Sequence, residues 1–130
     1  MQLDNRERSM LARVGFFLCR DGMVPEAEII FAGLAKSAPE KDGPVVGLML
    51  CEIIKGECEK AVAMANERLD KGSRLSGPLN LYKLVALGMA GRLAEANDVR
   101  ANMEKDGLGQ DVATADLLLG ELSQKAFRKA

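Results

Sequence analysis

The chain has no histidine and no tryptophan, and only 4% of its 130 residues are aromatic. Without histidine, the commonest acid–base group and metal ligand near neutral pH is missing. Proton-transfer catalysis and histidine-containing metal sites are therefore disfavoured, and neither enzymatic activity nor a cofactor is expected. The net charge is only −1, with acidic and basic residues interspersed, so no long-range field gathers nucleic acid. No apolar run reaches the roughly 20 residues that a membrane span needs. The start, Met1 to Arg8, is polar and charged, unlike a secretory leader. These absences predict a cytoplasmic protein with neither a nucleic-acid nor a membrane partner.

Cysteine is scarce as well. Cys19, Cys51 and Cys58 are odd in number, and six residues separate the last two, which is no zinc spacing. Free thiols in a reducing compartment are expected. The stretch Gly72 to Gly77 is rich in glycine and serine but lacks the Lys-Ser/Thr ending of a phosphate loop. It is expected to be a lengthened connection.

What the chain does have is an internal period. Gly22, Gly56 and Gly91 are each followed five residues later by an alanine (Ala27, Ala61, Ala96), and the pair recurs after 34 and then 35 residues. The glycine suits a tight turn with positive φ; the alanine suits a close crossing of two helices. Gly43-Pro44 and Gly77-Pro78 keep the same 34-residue step, and proline is tolerated in a helix's first turn. Apolar spacing and breakers together predict helices over roughly 5–20, 23–37, 44–55, 57–71, 78–90, 92–105 and 111–128. With few aromatics, their core must be built from Leu, Val, Ile, Met and Ala. In the last helix Val112, Ala115, Leu118, Leu119, Leu122 and Ala126 share one face, as a terminal cap requires.

A repeat of this length resembles the tetratricopeptide (TPR) family of helix–turn–helix repeats. With Arg8 as its first position, the first unit places Leu11, Val14, Gly15 and Leu18 on one helix and Ala27, Phe31 and Leu34 on the next, with Pro39 closing it. The second unit departs at Met49, Ala65 and Arg68, and the third at Arg100. The resemblance implies an all-α single domain over 1–130, with repeats at about 8–41, 42–76 and 77–110, a cap over 111–128, and a right-handed superhelix with an apolar concave groove.

Applied residue by residue, the resemblance assigns to that groove Ala12, Phe16, Cys19 and Arg20 from the first unit. The second unit supplies Val46, Leu50, Ile53 and Ile54, and the third Leu81, Val85 and Met89. In that frame Leu48 and Met49 face inward, whereas Leu50 and Ile53 are open to solvent until a ligand arrives. At the positions where the carboxylate-clamp type has Lys, Asn, Lys and Arg this chain has Ala12, Phe16, Pro78 and Tyr82, so the groove suits an amphipathic helix or an extended apolar segment.

The short chain, and the stretch Gly22 to Leu34 (GMVPEAEIIFAGL) followed by Pro39 and Gly47-Leu48-Met49-Leu50, are similar to the chaperones that hold needle subunits of type III secretion systems, and more loosely to translocator chaperones. The likeness covers roughly residues 8–105. It implies sequestration of a secreted, self-polymerising subunit through that subunit's amphipathic helix, with a small helical co-chaperone as a further partner. Two other roles fit the same groove: a general TPR adaptor, or a homodimeric assembly factor. The groove's occupant is thus a foreign segment, a second copy or the chain's own cap.

Overall fold

The computed structural model describes residues 3–73 and 76–129, with side chains described as far as residue 120. The chain is all-α. Among the described residues there are seven helices and no strand: α1 (Asn5–Arg20), α2 (Val24–Ser37), α3 (Gly43–Ile54), α4 (Cys58–Arg68), α5 (Gly77–Met89), α6 (Leu93–Lys105) and α7 (Gly109–Lys129). Asp4 starts α1 with a reciprocal cap: its carboxylate accepts from the Glu7 N–H at 2.8 Å, and its own N–H donates to the Glu7 carboxylate at 3.1 Å. Pro25, Pro44 and Pro78 lie in the first turns of α2, α3 and α5.

The repeated glycines end α1, α3 and α5 in one way. Gly22, Gly56 and Gly91 have φ of 81°, 86° and 78°. Their N–H groups donate to the carbonyls of Cys19, Ile53 and Gly88, and those of the following residues donate to Leu18, Glu52 and Leu87. This double seal satisfies carbonyls that a helix end would otherwise leave unpaired. Gly107 closes α6 with the same pair of bonds. Beyond α4 the chain makes a wider turn, Leu69–Ser73, that leaves helical geometry at Gly72. Ser76 then caps α5.

Helices pack in sequence: α1 on α2, α2 on α3, α3 on α4, α4 on α5, α5 on α6, with α1, α3 and α5 also side by side. This packing is consistent with a stack of helical pairs. Ala27 and Ala61 are fully buried and Ala96 nearly so, as the close-crossing reading requires. The core has two clusters. One surrounds Phe31 with Cys19, Val24, Ala27, Leu34 and Cys51; the larger is built on Met49, Leu79, Val85, Leu87 and Met103, and Phe16 touches both.

Phe31 explains two glycines. A Cβ on Gly15 would lie 2.6 Å from its ring and one on Gly47 closer still, so the ring is wedged between the backbones of α1 and α3. Phe16 meets it edge-on, centroids 4.8 Å apart. The second unit reverses this large–small pairing. Met49 stands where the first has Gly15, Ala65 stands where it has Phe31, and both are fully buried. The other departures from the repeat are anchors. Arg68 donates to the Pro39 carbonyl at 2.8 Å and pairs with Asp42 at 3.0 Å, fastening the α2–α3 connection to α4. Arg100 pairs with Asp116 on α7.

The last helix does not simply continue the stack. It lies mainly along α5 and touches α6 less, and the close approach occurs where α5 has no Cβ. One built on Gly88 would lie 2.8 Å from Leu119, and one on Gly77 2.6 Å from the Asp111 carboxylate. Val112 and Ala115 are buried, with Leu118 and Leu119 packed on the larger cluster. The side chains of Leu122 and Ala126, also assigned to this cap, lie outside the described residues.

Candidate partner-binding face

The residues assigned to the groove divide into three groups. Cys19, Val46, Ile53, Leu81 and Val85 are buried in the isolated chain, Ile53 with only 2% of its surface exposed. The expectation that Ile53 is open to solvent is therefore corrected: it belongs to the core with Met49 and Leu84. The reason is helix geometry. Val46 and Ile53 are spaced seven apart, two turns along one side of α3, and that side is closed over in the isolated chain; on α1 Cys19 is closed over likewise, whereas Ala12, seven residues before it, stays half-buried.

Ala12, Phe16, Leu50 and Met89 are half-buried, and Arg20 and Ile54 are exposed. These six leave a narrower strip than the sequence suggested. Leu48, expected to face inward, is half-buried against the Phe31 cluster, and Met49 is fully buried.

The most exposed apolar residues of α1 were not among those assigned. Met10, Val14 and Phe17 are 60%, 47% and 57% exposed. The 34-residue register explains why. Their equivalents on α3, Pro44, Leu48 and Cys51, pack toward the preceding pair of helices; on α5 the equivalents Leu79 and Ala86 are fully buried, and the third is the half-buried Lys83. On α1 the same positions are uncovered among the described residues. The signal was present in the sequence: at these three positions α1 is as apolar as a packed helix.

Where this edge meets the strip, Arg13, Phe16, Phe17 and Arg20 line a cleft of about 370 Å³. The Arg20 guanidinium sits 4.2 Å over the Phe17 ring, a cation–π contact that keeps an exposed phenyl ordered. Two aromatic rings flanked by two cations can bury an apolar side chain and pair with a carboxylate beside it.

Away from this face, an ion-pair network ties α2, α3 and α4. Lys55 bridges Glu28 at 2.6 Å and Glu52 at 3.1 Å, and Lys60 approaches Glu52 at 3.8 Å. The two carboxylates, Glu28 above all, hold the Lys55 ammonium well above its usual range. Glu28, in the first turns of α2, is thus held across to the end of α3. Glu59 likewise reaches Arg92 at 2.7 Å. Among the described residues no cluster of His, Cys, Asp or Glu has the makings of a metal site, and no helix is long and apolar enough to cross a membrane.

Comparison of the chain with family models, curated proteins and solved structures returned no match. What the protein does must therefore be read from its own surface.

Proposed function

We propose that this protein binds an apolar helical segment of another protein on the face formed by α1, α3 and α5, and by covering it prevents that segment from associating elsewhere. The observation that carries this is the uncovered edge of α1: Met10, Val14 and Phe17 are exposed although their counterparts Pro44, Leu48 and Cys51 on α3, and Leu79 and Ala86 on α5, have neighbours to pack against. An exposed apolar row continuous with an aromatic cleft marks an interaction site more often than chance. The half-buried Leu50 and Met89 and the exposed Ile54 extend it toward α5. In line with the likeness to TPR chaperones of type III secretion, the bound segment would be the amphipathic helix of a secreted, self-assembling subunit, and the mechanism is sequestration. A general TPR adaptor would use the same face.

The test is co-purification from the native cell with mass-spectrometric identification of the bound protein, followed by Phe17→Ser and Ile54→Ser in the full chain. Both side chains are exposed, so stability should hold while the partner is lost. Retention of the partner by both variants would overturn the assignment of this face. A small secreted helical subunit as partner supports the chaperone role, whereas a large cytosolic complex replaces it with the adaptor. A dimer that Phe17→Ser splits would replace it with self-association.

A further inference from the structure

Cys19 closes α1 and Cys51 lies near the end of α3. Their sulfurs are 3.5 Å apart, and both are buried. From this geometry we infer that the two thiols are an oxidation site: they form a disulfide that ties α1 to α3, while Cys58 stays free. A disulfide needs its sulfurs at about 2.05 Å, so they must close by roughly 1.5 Å. The two side chains come from adjoining helices, α1 and α3.

The chemistry balances with a small disulfide, RSSR, as oxidant. One cysteine, as its thiolate, attacks a sulfur of RSSR and releases RSH, which takes up the cysteine's proton. The second thiolate attacks the cysteine sulfur of the mixed disulfide, releases the second RSH and closes the bond. The protein loses two protons and two electrons, and the oxidant takes them up to become two thiols.

Burial controls the first step. It pushes the Cys51 thiol up to about 12, reinforced by the contact with Cys19, and it raises Cys19 too. The reactive thiolate is therefore scarce, and the oxidant must wait for a local opening. α1 is the element that can supply one. Among the described residues it packs mainly on α2 and α3 and its outer edge is bare, and elements with few buried contacts open at lower free energy than the core. When α1 packs back, the second sulfur returns to contact with the mixed disulfide and closes the bond.

The experiment uses the full-length wild-type chain in native, mildly alkaline buffer. It is incubated with hydroxyethyl disulfide, quenched with acid, unfolded, alkylated with N-ethylmaleimide and weighed. The expected product is a monomer carrying one label in place of three, with Cys19 joined to Cys51 in the peptide map and the label on Cys58. It should melt at a higher temperature than the reduced protein, and dithiothreitol should abolish the difference. Cys58→Ala should leave the yield unchanged. The inference is overturned if three labels persist after a urea-unfolded control has fully oxidised, if mixed disulfides accumulate without closing, or if the bond involves Cys58.

Discussion

Replacing Gly47 by alanine tests the packing of the first two helical pairs at its tightest point. Helix propensity alone says that this change should help, by up to about 1 kcal/mol, because glycine is a poor residue in a helix interior. Packing says the opposite. Carbon atoms rest at about 3.5–4.0 Å, and a Cβ at this site would fall more than 1 Å inside that distance of the Phe31 ring, judged from the 2.6 Å found at the less crowded Gly15. The ring cannot retreat, since its other side lies on the Gly15 backbone and Phe16 meets it at 4.8 Å. Overpacking a filled core costs about 1–3 kcal/mol. With the ring blocked on both sides the cost belongs at the upper end, which leaves a net loss of about 2 kcal/mol after the propensity gain.

Urea unfolding followed by far-ultraviolet circular dichroism measures this directly. The decisive comparison is a double-mutant cycle with Phe31→Leu, which gives the new methyl room. In that background Gly47→Ala should become neutral or stabilising, a coupling of about 2–3 kcal/mol. If Gly47→Ala stabilises the wild-type background, the ring is not wedged and the packing described for α1, α2 and α3 is wrong.

Ile53→Asp should unfold the chain, since an unpaired charge in the core costs several kcal/mol, whereas the neighbouring Ile54→Asp, at a site 39% exposed, should leave the thermal midpoint nearly unchanged; circular dichroism of the two variants checks the contrast. Truncation before Asp111 removes Val112 and Ala115 from the larger cluster and should broaden the melting transition or cause aggregation, and a sharp transition in the truncated chain would show that α7 is dispensable to the fold. The Cys51 thiol is raised in the folded state from 9.0 to about 12, so its contribution is fully present below the unfolded value and is lost as pH rises from there toward the folded one. Stability should fall between about pH 9 and 12, by up to ~1.4 kcal/mol per pH unit for one proton, and Cys51→Ala, titrated in the same way by urea unfolding, should show a shallower fall.

The period of Gly22, Gly56 and Gly91 was legible because it is backbone chemistry: a positive φ after a helix needs glycine wherever the neighbours are. Buried alanines at Ala27, Ala61 and Ala96 followed from the same frame. The compensations inside the repeats were harder to see. Met49 and Ala65 looked like two separate departures, yet they are one large–small pair turned round, and only the packed structure relates residues 16 apart on different helices. Arg68 and Arg100 stand at positions that are apolar in the first unit. Their partners, the Pro39 carbonyl, Asp42 and Asp116, come from other elements, and no local pattern points to them.

The candidate face was half legible, and the half that was missed has a physical cause. Helical periodicity says that Phe16, Ile53 and Val85 lie on the same broad side of their helices, but that side spans both the open strip and the seam between adjoining helices. Where the seam falls depends on how closely those helices approach, and small residues decide that. Gly15 and Gly47 let α1 and α3 close on Phe31; Gly77 and Gly88 let α7 settle on α5. The closure converts Cys19, Val46, Ile53, Leu81 and Val85 from surface to core and brings two cysteines together that sit at different positions of their units. On α1 exposure survives at Met10, Val14 and Phe17, which lie off that seam. An apolar residue with a packed counterpart one repeat later, but no neighbour of its own, is thus a better marker of a docking edge than a groove position copied from a regular array.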